Sequence, residues 1–125
     1  MYHLIYIGIG GFLGSISRYL VSKYMNNFVA TIPLGTFIVN ITGSFLLGFI
    51  LYSIALEKSI PSNFRDFITI GFIGAYTTMS TLAYESFRLM DGKEFLYFSI
   101  NIVSNVFFCL LAVFIGKELA ILINK

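Results

Sequence analysis

Four long apolar stretches dominate the chain. They run from about Leu4 to Tyr24, Pro33 to Leu56, Phe64 to Leu89 and Phe95 to Ile123. Short polar breaks separate them: Asn26-Asn27, then Glu57-Lys58-Ser59 before Pro61, then Asp91-Gly92-Lys93. About 20 residues at about 1.5 Å per residue cross about 30 Å of hydrocarbon, so each stretch is long enough to span a bilayer. Lipid offers no hydrogen-bond partners, which restricts spanning segments to helices or a closed barrel. These runs are too long for barrel strands and do not alternate. The pattern predicts an all-α integral membrane protein with four transmembrane helices in a single domain, residues 1–125.

Composition agrees. Of the 125 residues, 58% are hydrophobic and 11% charged, with mean hydropathy +0.88. A soluble domain carries about 25% charged residues, so too few charges exist here to coat a water-facing surface. The net charge of +2 is small and scattered, which speaks against nucleic acid. One cysteine, Cys109, excludes an intrachain disulfide. The first apolar stretch lacks a basic leader and is long enough to span, so it reads as a membrane helix rather than a signal peptide.

Basic residues orient membrane helices. With both termini on one side, Lys58, Arg65, Lys117 and Lys125 lie there, against Arg18, Lys23, Arg88 and Lys93 toward the other. This even split leaves two readings: one fixed topology, or copies inserted both ways that pair as an antiparallel dimer. Four short helices enclose little interior, which favours an oligomer.

Polar groups inside a membrane are costly and tend to mark function. On the first stretch, Gly8, Gly11, Ser15, Arg18 and Ser22 share a face, and Gly10-x-x-x-Gly14 is a small-residue packing motif. Arg18 is either an interface residue with its head in the headgroups or an anion-attracting group at an aqueous vestibule. On the second, Thr36, Asn40, Ser44 and Gly48 recur every four residues; Asn40 either joins helices or offers its amide donors to a ligand. The third places Gly71, Gly74, Thr77, Thr78, Ser80 and Thr81 in its middle, residues that weaken a helix. A break there frees carbonyls at one half-helix end and N–H groups at the other; the alternative is an unbroken helix whose hydroxyls bond back to the preceding turn. On the fourth, Asn101, Asn105 and Cys109 are spaced by four, flanked by Ser104, so they face protein or a water-filled path.

Amides and hydroxyls thus line the middles of the spans, and the acids within the spans, Asp66, Glu85 and Glu118, lie toward their ends. Donors without competing negative charge suit a small, strongly hydrated anion. The single histidine, His3, lies at the terminus, so no metal-ligand cluster is present. Ser80 and Thr81 have no histidine within reach, which argues against an enzyme.

At these residues the chain resembles the Fluc/CrcB family of microbial fluoride channels. Three motifs carry the likeness: Gly10-Gly11-Phe12-Leu13-Gly14-Ser15-Ile16-Ser17-Arg18-Tyr19, then Gly35-Thr36-Phe37-Ile38-Val39-Asn40-Ile41-Thr42-Gly43-Ser44-Phe45, then Gly71-Phe72-Ile73-Gly74-Ala75-Tyr76-Thr77-Thr78-Met79-Ser80-Thr81-Leu82. The resemblance implies a dual-topology antiparallel homodimer in the bacterial cytoplasmic membrane, with two pores that let fluoride leave the cell passively. It implies a structural Na⁺ at the dimer centre, held by the main-chain carbonyls of Gly74 and Thr77 at a break in the third helix. It assigns Asn40, Thr36 and Ser80 to the pore, with Thr81 beside them, Arg18 to the vestibule and Glu85 to an acid following the third motif. The polar track of the fourth helix maps to Asn105 and Cys109, with Asn101 where a tyrosine is usual. The family's pore phenylalanines, whose ring edges contact the anion, are replaced here by Met79 and Leu82. Donors from Asn101 and Asn105 are expected to offset those lost rings. Two other readings stand beside the channel: a four-helix dual-topology multidrug or cation exporter, which needs a membrane-embedded carboxylate, and a subunit that does not conduct by itself, either half of a heterodimer or an assembly element.

Overall fold

The computed structural model describes residues 2–28, 32–56 and 60–124. The Glu57-Lys58-Ser59 break lies outside them, as do Lys58 and Lys125 of the charge comparison. The described residues are helical and contain no strand. Helix α1 is Tyr2–Asn26 and α2 is Leu34–Leu56. The third apolar stretch is divided: α3 (Ser62–Asp66), a π-helical turn (Phe67–Ile73), α4 (Gly74–Tyr76), two extended residues, and α5 (Met79–Asp91). Helix α6 is Phe95–Ile123. Among the described residues three helices, α1, α2 and α6, are long and apolar enough to cross a membrane, and the third stretch contributes a bent helix instead.

Helix ends are set locally. The Asn26 side-chain oxygen accepts from the Gly35 N–H at 2.8 Å, so the residue that ends α1 also caps α2. In the turn after α5, the Gly92 and Glu94 N–H groups return to the Arg88 and Leu89 carbonyls at 3.0 and 2.9 Å. The left-handed conformation there falls on Lys93 (φ 61°), not on Gly92.

Glycines hold the helices together. Helix α1 presses on the first half of the broken helix through Gly10 and Gly14. A Cβ on Gly10 would collide with the Phe67 carbonyl, and one on Gly14 with the Phe72 carbonyl. A Cβ on Gly71 would lie 2.7 Å from the Ile7 carbonyl, so the fit is reciprocal. Helices α2 and α6 meet the same way: a Cβ on Gly48 would stand 2.5 Å from the Val113 carbonyl, and one on Gly116 would strike the Phe45 carbonyl. In lipid, where burial of apolar surface does not drive helices together, such close backbone approach supplies the packing. Most large apolar side chains, including Phe12, Leu20, Val103 and Leu110, point outward, as a lipid-facing surface requires.

Candidate functional site

The break sets the site. Thr77 (φ −80°, ψ 158°) and Thr78 (φ −152°, ψ 118°) are both extended, so the helical hydrogen-bond ladder stops. Thr77 keeps one link backward: its N–H donates to the Ile73 carbonyl at 3.0 Å and its hydroxyl to the same carbonyl at 3.1 Å. Its methyl group fits against α2 because Gly43 has no side chain. Thr78 starts α5, its hydroxyl oxygen accepting from the Thr81 N–H at 3.2 Å. The back-bonding hydroxyl of Thr77 is therefore present, but the helix is broken all the same.

Asn40 of α2 holds the break from the side. Its Oδ1 accepts from the Thr78 N–H at 2.8 Å, and its Nδ2 donates to the Thr78 carbonyl at 3.1 Å. One side-chain amide thereby pairs with both backbone polar groups of one residue, as a neighbouring strand would. The same Nδ2 donates to Asn105 Oδ1 at 3.2 Å. Asn105 Nδ2 donates to the carbonyl and the Oδ1 of Asn101 at 2.9 and 3.3 Å, and Asn101 Nδ2 donates to the Ser86 hydroxyl at 3.0 Å. Asn40, Ser86, Asn101 and Asn105 are all buried.

Beside this chain of amides lies an open groove of about 260 Å³. Asn40, Thr78, Met79, Leu82, Asn105 and Cys109 are among its lining residues. Met79 stands 73% exposed at its edge, while Leu82 is 4% exposed beneath. No carboxylate is among the lining residues. Ser80 and Thr81 lie on the exposed side of α5's first turn, where their hydroxyls meet that of Thr78 at 3.3 and 3.0 Å.

Like Ser80 and Thr81, the predicted residues Arg18, Thr36, Glu85 and Asn101 are not among the groove's lining residues. Arg18 Nη1 donates to the Thr77 carbonyl at 3.4 Å, so its head reaches the break. Thr36 donates to Glu85 Oε1 at 2.8 Å, joining α2 to α5; Glu85 Oε2 is buried without a partner among the described residues. Asn101 sits behind Asn105, not in the groove. Three contributors escape the sequence reading. Ser86 continues a four-residue spacing, Thr78-Leu82-Ser86, that marks the inner face of α5. Gly43 seats Thr77, and Thr42 shares a 2.9 Å hydrogen bond with the Tyr76 hydroxyl.

The break also bears on a cation. With the Thr78 N–H turned to Asn40, the Gly74 carbonyl loses its normal helical donor four residues on. Gly74 is exposed. Two carbonyls, those of Gly74 and Thr77, are thus oxygen donors of the kind a hard cation takes, with Arg18 sharing the second. Among the described residues no three His, Cys, Asp or Glu side chains gather as a metal site.

The family model described as "CrcB-like protein, Camphor Resistance (CrcB)" matches residues 5–117. The chain belongs to the CrcB-like family. The match takes in the groove, the break and the glycine contacts together. Among its relatives is a protein named fluoride-specific ion channel FluC 3 from Methanosarcina barkeri, 43% identical over 97% of this chain and 92% of the relative. Another, named fluoride-specific ion channel FluC, from Methanococcus maripaludis, is 46% identical over 94% of each chain. A third with that name, from Campylobacter jejuni, is 41% identical over 90% of this chain and 93% of its own. These CrcB-like relatives bear the names of channels, not of enzymes, and come from archaea as well as bacteria; with the apolar helices they mark a multi-pass membrane protein.

Proposed function

We propose that this protein is a passive, fluoride-selective ion channel of the cell membrane, acting as an antiparallel homodimer with one pore along each groove. The groove carries the reading: it joins hydroxyls and the opening of a helix, with no carboxylate among its lining residues. Met79 begins α5 and lines the groove, so that helix presents its N-terminal end there. First-turn N–H groups lack helical acceptors and the dipole favours an anion. A strongly hydrated anion surrenders water only where donors replace it, and this end supplies them. The relatives named as fluoride channels support the choice of ion.

Charge sets the direction. Hydrogen fluoride crosses membranes as a neutral acid and dissociates inside; a negative interior then drives the ion out, with no need for ATP or a proton-coupling acid. Arg18, beside the break, raises the local concentration of anions. The even spread of basic residues supports insertion both ways and hence an antiparallel pair. The Gly74 and Thr77 carbonyls would hold a sodium ion at the centre of that pair, and it would supply fixed positive charge there. The exporter reading is weaker because Glu85 is tied to Thr36 and stands outside the groove.

The test is fluoride efflux from liposomes holding the purified protein alone, followed with a fluoride electrode and with chloride as control. Rapid fluoride release without chloride release is expected. No release from folded protein sinks the homomeric channel and favours a partner subunit or another substrate.

A further inference from the structure

We infer that Ser86, Asn101 and Asn105 are positioning residues: they form a relay that orients Asn40 and, through it, holds the Thr78 peptide in its extended form. The direction of every bond in the relay is dictated by its backbone ends. The Thr78 N–H can only donate, so the Asn40 atom 2.8 Å away is oxygen. Its amide nitrogen then faces the Thr78 carbonyl and Asn105, whose facing atom must accept and is therefore Oδ1. That turns Asn105 Nδ2 onto the Asn101 backbone carbonyl, again an obligate acceptor. Asn101 Oδ1 accepts from Asn105, which leaves Asn101 Nδ2 for the Ser86 hydroxyl.

Asn40 Nδ2 and Asn105 Nδ2 each face two protein acceptors within hydrogen-bond distance. Both amide nitrogens are thus turned to protein acceptors. Their task is orientation: each fixes the next, and a buried amide chain of this kind strengthens along its length. Ser86 is the far anchor. It is 2% exposed and lies on α5 itself, so the relay leaves α5, crosses α6, reaches α2 and returns to Thr78, the residue that caps α5. The first turn of α5 is thereby tied to its own third turn through two other helices.

This inference rests on the channel reading only where flux is the readout, so the experiment carries a second one. Hydrogen exchange of the Thr78 amide is followed by NMR in ¹⁵N-labelled protein, with the Val113 amide as a reference in the separate α2–α6 contact. Ser86→Ala is expected to speed Thr78 exchange roughly fivefold, as loss of one net hydrogen bond does, and to leave Val113 unchanged. In an Asn40→Ala background the same substitution adds nothing, because the relay then ends on no one. Ser86→Thr keeps the hydroxyl and wild-type exchange, and it serves if the alanine variant does not fold. Fluoride flux falls in parallel with Thr78 protection, and discrimination against chloride falls with it. The relay is overturned if Thr78 exchange is unchanged in Ser86→Ala, or if Thr78 and Val113 quicken together. Wild-type protein that passes no fluoride overturns the proposed function instead, and the exchange comparison still decides the relay.

Discussion

The two halves of the third helix are held by opposite means. Before the break, residues 62–76 lie on α1 with backbone against backbone, at Gly10, Gly14 and Gly71. After it, α5 is tied to α2 and α6 by side-chain hydrogen bonds from Thr36, Asn40 and Asn101. The first half thus rests chiefly on close backbone approach, with the Thr42–Tyr76 hydroxyl bond beside it, and the second on side-chain hydrogen bonds. A glycine contact tolerates no added atom but has no direction. An amide contact has direction and can be weakened by degrees. The part of the helix that begins the groove is the part held by directional bonds.

Substitutions break the comparison on each side. The largest effect belongs to the glycine side. Gly14→Leu drives a side chain into the Phe72 carbonyl; its cost should reach about 3 kcal/mol or more, the upper range for overpacking, and thermal unfolding in detergent should show loss of the folded state. Asn40→Ala comes next. It strips the Thr78 peptide of its partner at a buried site and should cost about 1–3 kcal/mol, with fluoride efflux from liposomes falling sharply while the protein stays folded. Thr36→Val removes one bond and leaves Glu85 Oε1 unpaired; about 1 kcal/mol is expected, read as a small fall in melting temperature. The smallest effect lies outside both halves and has the opposite sign. Lys93→Gly relieves the left-handed conformation of the turn and should stabilise by about 1 kcal/mol, with flux unchanged.

How much of this can be read in the sequence depends on the kind of contact. Apolar length predicts α1, α2 and α6, because membrane thickness alone sets it. The break is legible in Gly71, Gly74 and the hydroxyls beyond them, since each weakens a helix. Gly10 and Gly14 are legible as a packing motif, though not that their partner is the third helix. The spacing of Asn40, Asn101 and Asn105 places them on inner faces. It does not say that they bond to one another, because a four-residue period gives a face and not the neighbour across from it. Expected as free donors, Asn101 and Asn105 instead give their amide hydrogens to protein groups. Ser86 is hidden among ordinary residues of α5. Its meaning is visible only when α6 is laid beside it.

The π-helical turn, Phe67–Ile73, gives no sign in the apolar pattern. Such a turn accommodates one more residue than an α-turn does, which is how an insertion is absorbed without rewinding the helix beyond it. Ile70, 58% exposed within it, is the residue this segment can best do without. Shortening the chain by that one position would restore an ordinary helix there and leave Gly74, Thr77 and Thr78 in phase. The turn is therefore where this membrane helix carries its extra residue of length, on the N-terminal side of its broken centre.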